Sequence, residues 1–187
     1  VVVLSASSKT AIGFADSASR HDGLTVVGVT SPGNVDFVTD LGIYDSVVTY
    51  DEVASCVPGD ASGAVVVDMA GNGATLNALH DALGDRIAYS MVVGRTHHDA
   101  PPASPTSGPV PQMFFAPTAL AEMASKGIDV EDVQAAMTEA LHGFVDRSRT
   151  WLTVEHRHGA KAAAETWREV HGGRVAPSIG RIVSLHG

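Results

Sequence analysis

One cysteine, Cys56, is all that 187 residues contain, which excludes an internal disulfide and a cysteine-rich zinc lobe. A lone thiol suits a reducing compartment, so the cytoplasm is the expected location. Basic residues are also few: 12 Lys and Arg stand against 21 Asp and Glu, a formal net charge of −9. They are scattered, whereas a surface that tracks phosphates clusters them, so no nucleic-acid partner is expected. No run approaches the ~18 apolar residues that span a bilayer, and Val1-Val2-Val3-Leu4 lacks the basic stretch that opens a signal peptide. No membrane partner is expected either. The chain does not open on Met and its first residues already read as a strand, so the natural protein is expected to begin earlier. No glycine precedes Lys9, which argues against a triphosphate loop at Ser8-Lys9-Thr10.

What is abundant is small and aliphatic. Hydrophobic residues make up 44% and charged residues 18%, enough for one core with a short appendage. Val1 to Leu4, Leu24 to Val29, Ser46 to Tyr50, Ala64 to Asp68 and Arg86 to Val93 are short Val-rich runs without polar alternation, as strands buried on both faces require. Helical stretches lie between them, from about Thr10 to Arg20, from Asn34 through Thr39 with Leu41 packed inward, and from Ala74 to Leu83. This alternation predicts βαβ units: an α/β doubly wound parallel sheet of Rossmann type, in three α/β/α layers. From Thr96 to Pro111 the composition changes, with five prolines between Pro101 and Pro111, which marks a loop long enough to be mobile. Gln112 to Ala116 reads as a sixth strand, and Pro117 to Lys126 as a helix. Val130 to Arg149 reads as a second helix, with Val133, Met137, Leu141 and Phe144 on one stripe. Leu152 to Val154, Gly159 to His171 and Arg181 to Leu185 form a C-terminal strand-helix-strand appendage. The expected division is 1–150, the dinucleotide-binding domain, and 151–187.

In a doubly wound sheet the first strand-to-helix turn holds phosphate, because its N–H groups and the helix dipole point at the ligand. Ser5, Ser8 and Ala11 stand where three glycines are usual. They are small, two carry hydroxyls, and Lys9 adds positive charge. At the end of the second strand an NAD site places an acid on the ribose. Here Thr30, Ser31, Gly33 and Asn34 fill that position and no acid occurs before Asp36. Neutral donors favour the 2′-phosphate of NADP(H).

Val1 to Ala11, Val26 to Asn34, Leu41-Gly42 with Tyr44 to Tyr50, Val67 to Gly71 and Met91 to Gly94 together resemble the medium-chain dehydrogenase/reductase superfamily, specifically its zinc-free quinone oxidoreductase-like branch. The Ser-Lys-Thr of the first turn is similar to a poorly characterised subgroup of that superfamily. The resemblance implies that Ser7, Ser8, Lys9, Thr10 and Ala11 hold the pyrophosphate, and that Thr30, Ser31, Asn34 and Tyr50 hold the ribose phosphate. It implies that Ala70, Gly71, Val93, Gly94 and Arg95 pass beside the nicotinamide, with Ser178 to Arg181 closing near the cofactor. The implied substrate is a small carbonyl compound or enone, bound with a missing N-terminal domain toward which residues 151–187 return. This fragment alone is then expected to be inactive.

His97-His98-Asp99 looks like a metal or acid-base cluster, but zinc needs three or four convergent ligands, so no metal is expected. His97 is the local candidate for a catalytic proton donor, against a polar loop tip. His156 and His158 read as surface residues, Tyr89 as core, Met123 and Met137 as core stripes, and Cys56 as inert. The competing functional reading is a non-catalytic dinucleotide-binding or assembly module, favoured by the missing glycines. A homodimer through the edge strand around Phe114 suits either. A Rossmann-like methyltransferase is disfavoured, because no acid closes the second strand.

Overall fold

Three β-branched or aliphatic residues, Val2–Leu4, form β1, and their burial places this strand in the interior of its sheet. The computed structural model describes residues 1–56, 63–96 and 101–186. After β1 come α1 (Lys9–Ala18), β2 (Val27–Thr30), α2 (Val35–Asp40), β3 (Ser46–Thr49), β4 (Ala64–Asp68), α3 (Gly73–Leu83), β5 (Ile87–Val92) and β6 (Gln112–Met113). Helices α4 (Ala116–Ser125) and α5 (Val130–Ser148) follow, then β7 (Thr153–His158), α6 (Gly159–His171) and β8 (Ile179–Ser184).

Strands β1 to β6 form one parallel sheet in the order β3-β2-β1-β4-β5-β6. Side chains alternate across it. Val2, Leu4, Val27, Val29 and Val66 pack on one face with Leu76, Leu79 and Leu83 of α3. Val3 and Val67 pack on the other with Ala11, Ala15 and Ala18 of α1. The two helices thus cover opposite faces, which is the doubly wound, three-layer arrangement. Full burial of side chains such as Leu4, Leu76 and Leu79 contributes ~1.5–3 kcal/mol each from the hydrophobic effect alone.

The chain divides into two compact units, Val1–Ala140 and Leu141–Gly187, so α5 runs across the division. In the second unit β7 and β8 pair in parallel, with Glu155 opposite Arg181. Glu155, Arg157, Arg181 and Glu169 of α6 form a charged cluster, in which Arg181 bonds Glu169 and Arg157 Nη1 lies 3.1 Å from Glu169 Oε2. His156 and His158 are both exposed on β7, which runs four residues beyond Val154.

Two expectations change. Tyr89 is not core: it is 39% exposed and its hydroxyl donates to Gln112 Oε1 at 3.2 Å. Met123 and Met137 are 39% and 60% exposed, because among the described residues little covers α4 and the apolar stripe of α5. Residues 101–111 form neither helix nor strand, as their prolines imply, and lie as a strap tied along α3. Ser104 N–H donates to Asn77 Oδ1 at 3.0 Å, and Ser107 Oγ donates to the His80 carbonyl at 2.8 Å. Among the described residues no helix is long and apolar enough to cross a membrane.

Candidate functional site

Between β1 and β4 the strand order reverses and the helices leave opposite faces of the sheet, and the carboxyl ends of the strands at such a point are where sheets of this kind usually bind ligands. The turn after β1 stands at this point. Ala6 N–H donates to the Val29 carbonyl at 3.0 Å and Ser8 N–H to the Ser5 carbonyl at 2.9 Å. Ser5 has φ +59°, and among the described residues it is the one non-glycine in the left-handed region. The conformation a glycine would supply is therefore kept by a serine, at a cost of ~1–2 kcal/mol.

Ser8 caps α1, its Oγ accepting from Ala11 N–H at 3.3 Å. The first turn of a helix presents N–H groups that have no intrahelical carbonyl; here Lys9 and Thr10 open α1 directly after β1, whereas the Ser8 N–H is bonded to the Ser5 carbonyl. Lys9 is exposed there, with its ammonium pKa lowered by partial burial. The Ala11 side chain is buried, so only its main chain belongs to the turn.

Hydroxyls and an amide gather around this turn. Tyr50 Oη lies 3.3 Å from Ser5 Oγ, carried by a short 3-10 segment, Tyr50–Ser55. That segment is fixed by Glu52, whose carboxylate accepts from Thr49 N–H at 3.0 Å and Thr49 Oγ1 at 2.8 Å; these bonds hold its pKa below the usual carboxylate range. Asn34 does not cap α2 with its side chain. Its Nδ2 instead donates to Ser7 Oγ at 3.1 Å and Ser31 Oγ at 3.0 Å, joining the first turn to the second. Thr30 is fully buried, and its Oγ1 has no hydrogen-bond partner among the described residues. Tyr44 packs on Gly28, donates to the Ala6 carbonyl at 3.0 Å, and has its pKa raised by burial. A Cβ on Gly28 would lie 2.9 Å from the Tyr44 ring, so the glycine is needed for this approach.

At the ends of β4 and β5, Asp68 Oδ1 accepts from Ala70 N–H at 3.0 Å and Gly71 N–H at 2.9 Å. Gly71 has φ +70°, and a Cβ there would lie 2.9 Å from the Gly94 carbonyl oxygen. Thr96 N–H donates to the Ala70 carbonyl at 2.8 Å. Ala70-Gly71 and Val93-Gly94-Arg95 are thereby held backbone to backbone, the first pair with Ala70 buried and Arg95 exposed at the rim. His97 lies outside the described residues. Among the described residues no three His, Cys, Asp or Glu side chains converge as a metal site would need. Cys56 is buried, and burial raises its thiol pKa.

Residues 1–176 match the family described as "Protein of unknown function (DUF2855)". The chain belongs to the DUF2855 family. No curated protein matches it. The matched span of this DUF2855 chain includes the whole six-stranded sheet and ends before β8.

Two features of the DUF2855 chain were not anticipated from residue order. His80, fully buried on α3, places Nε2 2.9 Å from Ser90 Oγ of β5 and Nδ1 2.9 Å from the Ser107 carbonyl of the strap. Under the strap, between the ends of β4, β5 and β6, lies a cavity of about 460 Å³. The signal for the first was present: His80 shares an apolar stripe with Leu76, Leu79 and Leu83, and a buried imidazole there needs partners.

Proposed function

We propose that this chain is the cofactor-binding part of an NADP(H)-dependent, zinc-independent reductase of the medium-chain dehydrogenase/reductase type. The observation that carries the reading is the Ser5–Ser8 turn, a left-handed serine at the end of the central strand leading into the capped start of α1. The donor set supports a phosphate ligand. Ser5, Ser7, Ser31 and Tyr50 hydroxyls, the Asn34 amide and the Lys9 ammonium lie around the first two turns, and neither turn carries a carboxylate before Asp36.

In this reading the main chain of Ser7, Ser8, Lys9, Thr10 and Ala11 holds the pyrophosphate. Ser31, Asn34 and Tyr50 hold the 2′-phosphate, with Thr30 filling the sheet beneath them. Asn34 exchanges its bonds to Ser7 and Ser31 for bonds to phosphate oxygens. Ala70, Gly71, Val93, Gly94 and Arg95 flank the nicotinamide, which when bound supplies a hydride to a carbonyl or an activated alkene. Tight backbone packing at Gly71 and Gly94 keeps that wall fixed. Turnover requires a companion domain, the proton comes from solvent, that domain or His97, and the setting is cytoplasmic.

A second reading, a non-catalytic dinucleotide-binding or assembly module, is favoured by β6. This edge strand ends at Met113, 67% exposed, and is followed by Phe114 and the 63% exposed Phe115, and it is also where a homodimer would form. Titration with NADPH and NADH, followed by nicotinamide fluorescence, separates nucleotide binding from assembly alone. NADPH should bind more tightly, and Tyr50→Phe should weaken NADPH by about tenfold, ~1.4 kcal/mol, while leaving NADH nearly unchanged. Equal losses would remove Tyr50 from the phosphate site, and silence with both nucleotides would leave the assembly module.

A further inference from the structure

We infer that the cavity beneath the proline strap is a binding site for a compact, uncharged, mainly apolar organic molecule. Its identification as part of the substrate pocket rests on the reductase reading; its capacity to bind such a molecule does not.

The volume, about 460 Å³, lies in the range of small-molecule sites. The wall is made of Leu76 from α3, Val92 from β5, Met113 from β6, and Ala103, Pro105 and Pro109 from the strap. Prolines carry no N–H and have a fixed φ, so the strap side offers few donors and loses little entropy when a ligand docks. It is already tied in place: His80 binds the Ser107 carbonyl, Ser107 Oγ binds the His80 carbonyl, and Ser104 N–H binds Asn77. At Gly73 the strap comes so close that a Cβ would meet the Ala103 nitrogen at 2.8 Å. The site is therefore built before any ligand arrives.

Charge sets the ligand class. Two ionisable residues line the cavity, Asp68 with 1% exposure and Arg95 at the exposed rim. One is an anion already engaged by the Ala70 and Gly71 N–H groups and the other a cation, so the lining carries no net charge to hold an ion, while the apolar area stabilises a neutral molecule in proportion to the surface it buries. Gly71 lines the cavity too, and it packs against Gly94 and Arg95, the segment that flanks the hydride donor in the proposed function. The chain would then contribute a substrate wall of its own, beside whatever a companion domain adds.

The test uses the intact chain and the neutral naphthyl ketone 6-propionyl-2-dimethylaminonaphthalene, whose emission shifts to the blue on leaving water. A saturable shift is expected, and Ala103→Phe and Met113→Trp should each weaken it by about tenfold. Met113 is exposed on the edge strand, so its replacement leaves folding intact, and circular dichroism checks both variants. The anionic 8-anilinonaphthalene-1-sulfonate should respond to neither substitution. Absence of a saturable shift, or full affinity in both variants, overturns the proposal. NADPH binding is measured in parallel: if NADPH fails to bind while the ketone is lost in the variants, the cavity stands and the reductase reading falls.

Discussion

Replacing His80 with leucine removes a side chain that ties α3, β5 and the strap together, and the size of the loss follows from its bonds. The Ser107 carbonyl can only accept, so Nδ1 carries the proton and donates at 2.9 Å; the Ser90 hydroxyl then donates to Nε2 at 2.9 Å. His80 and Ser90 are both fully buried. Leucine is close to imidazole in volume and fills the space, but it leaves a hydroxyl and a carbonyl without partners, at ~1–3 kcal/mol each. Some of this is offset by the more apolar side chain, which leaves a net loss of ~2–4 kcal/mol. At about 2–4 °C per kcal/mol, the melting temperature should fall by roughly 5–15 °C. Tyr44, Tyr50 and Tyr89 all lie in the unit that contains His80, whereas Trp151 and Trp167 lie in the other, so tyrosine absorbance follows the relevant transition. Adding Ser90→Ala removes the stranded hydroxyl, so the double variant should be at least as stable as His80→Leu, with a coupling of ~1 kcal/mol or more. Additive losses, or a melting temperature close to that of the native chain, would refute the bonded role of His80.

Other substitutions probe the nucleotide turn. Ser5→Gly should raise stability by ~0.5–1 kcal/mol, measured by urea unfolding, because glycine accepts φ +59° without the Cβ clash. Gly28→Ala should cost ~1–3 kcal/mol, since the new Cβ meets Tyr44 Cδ1 at 2.9 Å and Ala6 Cβ at 3.1 Å; NADPH affinity should fall with it, because Tyr44 holds the Ala6 carbonyl. Tyr44 also gives a pH signature. Burial raises its pKa, so the native state keeps the phenolic proton while the unfolded chain loses it near pH ~10. Stability present below pH ~10 should therefore fall as pH rises above it, and Tyr44→Phe should flatten that fall in urea midpoints.

Where burial was the only requirement, residue type was enough to locate elements. Ala64–Asp68 and Gly159–His171 have the bounds their Val run and Gly-flanked helical stretch imply, and the alternation of strand and helix implies the parallel sheet. In β7 the same reasoning stops short, because the strand continues through Glu155 and Arg157. These turn toward Glu169 and Arg181 instead of an apolar layer, so charge pairing replaces the hydrophobic pattern that marks a strand. Tyr89 and the α5 stripe show the converse. Their apolar spacing is helical or strand-like, but spacing records a face suited to burial and not whether another element covers it.

The strap makes the sharpest case. Five prolines in eleven residues declare that no helix or strand will form there, and composition can say no more, because a proline's partner is chosen by tertiary contacts. The missing information sits 27 residues earlier, in His80. A histidine among Leu76, Leu79 and Leu83 would be costly to bury alone, so its position on that stripe requires two polar groups to approach it from elsewhere in the chain. A buried serine on β5 is one. The other has to come from a segment without internal hydrogen bonds of its own, whose carbonyls are available, and a proline-rich stretch is such a segment. The same prolines that prevent secondary structure therefore make residues 101–111 able to close over the ends of β4 and β5, and His80 determines where that closure is anchored.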